Sequence, residues 1–405
     1  MDNEERGKER KERLIQLLLF VVTIFTTTFA GIEWIYGRSL LLGSNINGDD
    51  IIGGLNFSIP FLLILTIHEF GHYLTARFYK IKTSLPFFLP FIPGFLSIGT
   101  FGAVIRIREK VRSNIEHFDI GIAGPLAGFV AALFVLVRGF TTLPEKDYVL
   151  DIHPEYAYFG DDWESIVYDV DTTILKSDLE KISSSRTLED YPDTLRMSST
   201  TPSLSLGNNL TFMFFESYVA NAERVPDHRE MMHYPWLLAG FLALFFTALN
   251  LLPIGQLDGG HVIYGLFGER QHARISSAIF VLFIAYAGIG IVDPNVDPLD
   301  ELLIKVPLYV GFLYITFLKM IPNVKDRLLM SVSILAVQYF VKFFFPEAVG
   351  FNGWLLFAFL IGRFLGIYHP RSPIEKPLDQ GRTILGWIAL IVFIISFSPR
   401  PILFE

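Results

Sequence analysis

Residues 51–72 read IIGGLNFSIPFLLILTIHEFGH. Ile51–Ile67 carries no charge and has roughly the length of a membrane-spanning helix. Directly after it come His68, Glu69 and His72. Two histidines at i and i+4 share one face of a helix, so both imidazoles can reach one metal ion. Glu69 lies between them, where it can reach a metal-bound water as general base. Ionisable groups in a membrane span are costly and mark function by default. The plainer reading is a pair of interfacial histidines at a helix end.

The same pattern of uncharged runs recurs along the chain. Leu14–Ile32, Ile120–Val137, Tyr234–Leu257, Ile275–Val292 and Thr383–Pro399 are long enough to span. Three shorter runs lie at Lys305–Lys319, Leu328–Val341 and Ala348–Gly362, where flanking cations can snorkel. The chain is 51% hydrophobic and only 18% charged over 405 residues, with a mean hydropathy of +0.44. Soluble domains carry about 25% charged residues, and a disordered chain would need low hydrophobicity. The expected fold class is therefore an α-helical polytopic membrane protein of about nine transmembrane helices. The first run lacks a small-residue cleavage pattern and reads as an anchor, not a signal peptide.

One uncharged stretch should not be helical. Thr83–Ile105 holds Pro86, Pro90, Pro93, Gly94, Gly99 and Gly102. Non-helical backbone at membrane depth needs protein or a water-filled cavity to satisfy it. This stretch is expected to be a re-entrant, β-hairpin-like loop ending in a short strand over 99–106. An ordinary surface loop is the alternative.

With the N-terminus inside, the inside segments hold 21 Lys+Arg against 12 outside, and 7 of those 12 fall in one long segment. The bias places the N-terminus on the cytoplasmic side and the C-terminus outside. That long segment, 141–233, has 18 Asp+Glu and 7 Lys+Arg, a net of −11 within a chain of net −8. It is the one extramembrane acidic segment, and its Ser183–Ser205 part reads as loop. The overall acidic balance excludes nucleic acid as a main partner. Zero cysteines exclude disulfides, Cys-ligated zinc and iron–sulfur clusters.

A two-histidine zinc site needs a third protein ligand and an open position. Asp258, in the stretch Asn250-Leu-Leu-Pro-Ile-Gly-Gln-Leu-Asp258-Gly-Gly260, is the lone carboxylate near the end of a long uncharged run. It and the histidines fall at the cytoplasmic ends of spans, at one depth. An interfacial cap is its plainer role. Gly121, Gly124, Pro125 and Gly128 form a small-residue pattern whose favoured reading is close helix packing. His117, His153, His228, His233, His272 and His369 read as ordinary surface histidines, and His261 as a group outside the ligand set.

Three blocks together resemble the site-2 proteases, the zinc intramembrane metalloproteases: His68-Glu-Phe-Gly-His72, Gly124-Pro-Leu-Ala-Gly128 and Asn250…Pro253…Leu257-Asp-Gly-Gly260. Ile98–Arg106 resembles the group with prokaryotic and plant chloroplast members. The resemblance covers roughly residues 50–270. It implies that His68, His72 and Asp258 bind one zinc per chain and that Glu69 is the catalytic base. It further implies that Asn250 contacts the substrate backbone or the oxyanion. It makes Gly99, Thr100, Phe101, Gly102, Ala103 and Val104 a substrate-binding strand. Many bacterial members carry a PDZ domain between the catalytic spans, and 141–233 shows no such pattern.

The expected organisation is a tail and anchor (1–50), a first catalytic part (51–140), the acidic segment (141–233), a second catalytic part (234–275) and accessory spans (276–405). The expected activity is hydrolysis of peptide bonds within or next to transmembrane segments of membrane proteins, in a prokaryotic plasma (inner) membrane. Two rival readings are a metal-ion transporter and a non-catalytic receptor. The glutamate inside the histidine pair has no evident transport role, and the intact motif argues against a degenerate enzyme. No feature encodes the oligomeric state.

Overall fold

The charged N-terminal residues run without a break into the first apolar stretch, and both belong to helix α1 (Asn3–Tyr36). In the computed structural model, residues 3–94, 97–168 and 204–404 are described. Helix α2 (Gly48–Phe78) starts at a capping box in which Asn47 accepts from the Asp50 amide and Asp50 accepts from the Asn47 amide. Arg38 grips both oxygens of Asp50, at 2.5 and 2.6 Å, and closes the α1–α2 connection. Deeper in, the hydroxyls of Thr27 and Ser58 meet at 2.5 Å between the two helices. Such interhelical hydrogen bonds help hold helices in an apolar solvent, where burial alone gives no drive.

After α2 the proline- and glycine-rich stretch leaves the helix. Strands β1 (Phe87–Pro90) and β2 (Thr100–Val104) pair antiparallel, with an irregularity between Phe88 and Pro90. Helix α1 holds this hairpin. Gln16 donates to the Leu85 carbonyl at 2.9 Å, Thr26 to Gly99 at 2.7 Å and Trp34 to Ser97 at 3.0 Å. These polar side chains of an apolar helix supply hydrogen bonds to the backbone of the irregular stretch.

Helix α3 (Asn114–Thr141) follows, opened by a Ser113–Glu116 capping box. The acidic segment begins with α4 (Tyr148–Ile152), a 3₁₀ stretch (Pro154–Asp162) and α5 (Trp163–Tyr168). It resumes with β3 (Leu204–Leu206) and α6 (Leu210–Tyr218). Residues 183–203 of the expected loop lie outside the described residues. Its last two, Leu204 and Ser205, are strand rather than loop, because the far C-terminal end of the chain supplies a partner for them.

The second half is α7 (Pro235–Leu251), α8 (Asp258–Ala287, kinked at Gly268), α9 (Leu299–Thr316), α10 (Val324–Phe344), α11 (Gly353–Leu360) running into a π-helical turn, and α12 (Gln380–Ser396). Strand β4 (Ile402–Phe404) closes the chain against β3. The chain is thus a mostly helical, polytopic membrane protein. Among the described residues, α1, α2, α3 and α10 are long and apolar enough to cross a membrane, and shorter apolar helices include α7 and α12. Leu63, Leu74, Val130 and Phe134 are exposed on α2 and α3, as suits faces solvated by lipid. The core lies where α2 packs on α1, α3 and α7, around Phe57, Phe61, Leu136 and Phe241.

The region before Asp258 departs from the expectation. The run Tyr234–Leu257 is not one span: α7 ends at Leu251, and Asp258 is the first residue of α8. The turn precedes the aspartate. Gly259 is what permits it, since a Cβ there would lie 1.9 Å from the Leu251 carbonyl oxygen.

Candidate metal centre

Helix periodicity stacks His68 over His72 on the buried side of α2. Their Nε2 atoms are 3.0 Å apart and their rings meet edge-on at 73°. The α7–α8 turn brings Asp258 in from the other side. Its Oδ2 is 3.5 Å from His68 Nε2 and 3.3 Å from His72 Nε2. One ligand atom from each residue falls within 4.8 Å of the others. A tetrahedral zinc with bonds of ~2.0–2.1 Å holds its ligands about 3.3 Å apart. Two imidazole nitrogens and a carboxylate oxygen at these separations fit that ion and leave one position open.

The surroundings orient the set. His72 Nδ1–H donates to the Ile120 carbonyl at 2.7 Å, which leaves Nε2 as the lone-pair face. The carbonyl comes from α3, which approaches closely because Gly124 faces the ring. A Cβ on Gly124 would lie 2.2 Å from His72 Nε2. One on Gly128 would lie 3.2 Å from His68 Cβ. The small-residue pattern is indeed a packing motif, and what it packs against is the two histidines.

Asn250, in the last turn of α7, points Nδ2 at His68 Nε2 from 3.3 Å. Glu69 is buried, and its carboxylate lies beside the backbone of Ile105, the residue that follows β2. The structure therefore brings together His68, His72, Asp258 and Asn250, with Glu69 beside the hairpin. In the stretch 99–104, Gly99 holds a φ of +78° at the entry to β2, Thr100 and Gly102 are buried, and Phe101 and Val104 are exposed. The sheet is two-stranded, so one edge of β2 has no strand beside it among the described residues.

The expectation of surface histidines fails at several positions. His233, His272 and His369 are buried. His261 Nδ1 and His369 Nε2 are 2.7 Å apart, and His117 stacks on His261 at 5.2 Å between ring centroids. Burial, with His261 and His117 as close neighbours, pushes His369 down to about 3. His153, Glu230 and His233 form another group. No periodicity reveals these sets, because their members are far apart in sequence and meet only through tertiary packing. Ionisable residues just outside apolar runs were the one available signal.

The chain is 27% identical over 257 residues to the rice (Oryza sativa subsp. indica) protein named "Probable zinc metalloprotease EGY2, chloroplastic", covering 64% of this chain and 37% of the relative. It is 28% identical over 271 residues to the corresponding EGY1 protein of Oryza sativa subsp. japonica, covering 63% and 38%. Against the EGY1 protein of Arabidopsis thaliana it is 27% identical over 222 residues, covering 54% and 31%. The match thus spans well under half the length of these relatives. No solved structure matches the chain. The model of Peptidase family M50 matches residues 56–292, which runs from early α2 through the whole metal centre and past α8. More than half of the chain is covered, and with it every residue of the metal centre: the chain belongs to Peptidase family M50.

Proposed function

We propose that this chain is an intramembrane zinc metalloendopeptidase of site-2 type. It cleaves peptide bonds within or next to transmembrane segments of membrane-protein substrates. The observation that carries this reading is the convergence of His68 Nε2, His72 Nε2 and an Asp258 carboxylate oxygen within 4.8 Å, at one end of an apolar helical bundle. Family membership and relatives named as zinc metalloproteases support it. One zinc per chain at this centre is part of the proposal.

Bound there, zinc would polarise the scissile carbonyl and lower the pKa of water toward 7. Glu69 takes the proton of the attacking water and delivers it to the leaving amine. The Asn250 amide donates to the oxyanion as the carbonyl carbon becomes tetrahedral. A helical substrate hides its carbonyls in its own hydrogen bonds and must unwind. The open edge of β2, from Gly99 to Val104, holds the unwound segment by strand addition. The nearness of Glu69 to the Ile105 backbone supports a base at the end of that edge.

In the proposed topology the chain crosses nine times, and the β1–β2 hairpin is re-entrant. The N-terminus and the metal centre face the Lys/Arg-rich, cytoplasmic side of a prokaryotic plasma membrane. Catalysis is divided between 51–140 and 234–275, with 276–405 as accessory spans.

The test pairs wild type with Glu69→Gln in detergent. Zinc content and cleavage of a panel of single-span model substrates are measured for both. Zinc is expected in each, with cleavage slowed by about 10²–10⁴-fold in the variant, the usual worth of a general base. Cleavage by Glu69→Gln at the wild-type rate would sink the mechanism, and zinc-free folded protein would remove the centre itself.

A further inference from the structure

At the other end of the bundle lies a second set of two histidines and a carboxylate. His153 follows α4, while Glu230 and His233 lead into α7. His153 Nε2 and His233 Nε2 are 3.2 Å apart. Glu230 Oε2 is 3.6 Å from the first and 3.3 Å from the second. The two rings meet edge-on at 78°, with centroids 4.9 Å apart. At the metal centre of α2 the corresponding ring values are 73° and 4.8 Å. The nitrogen–nitrogen distance there is 3.0 Å, and the nitrogen–oxygen distances are 3.5 and 3.3 Å. The two sets have nearly the same geometry.

The supporting contacts also correspond. His233 Nδ1–H donates to the Ile35 carbonyl at the end of α1, as His72 donates to Ile120. Each hydrogen bond fixes the tautomer that turns Nε2 toward its carboxylate. Tyr156 donates to Glu230 Oε1 at 3.3 Å. Glu230 Oε2 is buried and has no hydrogen-bond partner of normal geometry among the described residues; the Tyr168 hydroxyl lies near the carboxylate, and both imidazoles face this oxygen. A buried carboxylate oxygen left in that state is costly. A cation shared with two imidazoles removes the cost.

We infer that His153, Glu230 and His233 hold a second divalent metal ion of the zinc class, coordinated by two imidazole nitrogens and one carboxylate oxygen, which clips the acidic segment to the bundle. Imidazole with carboxylate selects zinc or a neighbouring transition ion over calcium or magnesium. The three ligands come from the start of the acidic segment and from its end, and Ile35 adds the end of α1. One ion there ties three chain segments together. It is separated from the first centre by the length of α7, about 25 Å at 1.5 Å per residue. Its role is therefore structural, and the proposed proteolysis does not depend on it.

The experiment uses the full chain in detergent, stripped with chelator, reloaded with Zn²⁺ or Co²⁺ and desalted. Wild type is expected to retain two ions per chain. The double variant His68→Ala/His72→Ala should retain one, with a tetrahedral Co²⁺ absorption band and a melting temperature raised by added Zn²⁺. Adding Glu230→Gln to that background should abolish the ion, the band and the shift. Conversely, His153→Ala/Glu230→Gln in the wild-type background should lower the content from two ions to one. One ion in wild type, unchanged by His153→Ala/Glu230→Gln and lost in His68→Ala/His72→Ala, would overturn the inference. Should the His68→Ala/His72→Ala protein not stay folded, the His153→Ala/Glu230→Gln comparison decides alone: a fall from two ions to one supports the second site, and an unchanged content refutes it.

Discussion

At the scale of single residues, the proposed metal centre depends as much on an absent side chain as on its proposed ligands. Gly124 lets α3 come so close that its backbone both contacts the His72 ring and offers the Ile120 carbonyl to Nδ1. A methyl group at Gly124 would start 2.2 Å from Nε2, the atom proposed to bind metal. Either the ring or the helix must move, and the Ile120 hydrogen bond is lost in both cases. Gly124→Ala is therefore expected to weaken zinc binding by about 10–100-fold, the usual effect of removing a ligand's supporting contact. Gly128→Ala, whose Cβ would meet His68 at 3.2 Å, should cost much less. Zinc titration of the two variants side by side checks this, and equal, wild-type affinities would show that the helices can spread without consequence. The sequence spacing pointed to close packing at these glycines. It could not name the histidines as the packing partner, since that depends on the rotation of α2 against α3.

At the scale of elements, Asp258, the proposed third ligand, is held by a turn whose backbone is braced from a distance. The Gly255 amide donates to Ser276 Oγ at 3.0 Å, and Ser276 donates on to the Ile367 carbonyl at 2.6 Å. His272 Nε2–H donates to the Gly255 carbonyl at 3.2 Å. The second half of α8 thus folds back through the Gly268 kink to fix the turn that opens its own first half. Ser276→Ala leaves a buried amide without an acceptor, at a cost of about 1–3 kcal/mol. The expected outcome is a lower melting temperature in detergent together with weaker zinc binding, because the loosened turn carries Asp258. A lower melting temperature with unchanged zinc affinity would mean that the brace serves stability alone. Elements of this kind were unevenly legible. Uncharged runs and prolines were enough to separate helix from hairpin over 51–140, because lipid imposes strong composition rules. The break between Leu251 and Asp258 does not show in the charges, since Leu252–Leu257 carries none; Pro253 and Gly255 are the signal that marks it. The β3–β4 pair was hidden more deeply: each strand has three residues, and each is a strand only because the other end of the chain supplies its partner.

At the scale of the whole molecule, the pairing of β3 with β4 constrains the topology. Strand β3 belongs to the acidic segment and β4 to the C-terminal end, so both lie on one side of the membrane. The chain must then cross an even number of times between Leu206 and Ile402. Spans at α7, the second half of α8, α9, α10, α11 with its π turn, and α12 satisfy that requirement. In the proposed topology the Lys/Arg bias puts the N-terminus and the α2 site on the opposite side. Charge balance agrees, since the segment 141–233 carries a net −11 and is repelled from the negative cytoplasmic leaflet. The chain has no cysteine, so single reporters can be introduced without background. Glu223 is exposed in the acidic segment, and Lys325 is exposed at the start of α10. In intact cells a membrane-impermeant maleimide is expected to label Glu223→Cys directly and Lys325→Cys only after permeabilisation. The reverse pattern for both would keep the crossings and invert the orientation. Labelling of both from one side would break the crossing count between α7 and α10, and with it the nine-span proposal. Glu223 and Lys325 are separated by α7, α8 and α9, so the pair reads out whether the number of crossings over these three helices is odd, as the proposal requires.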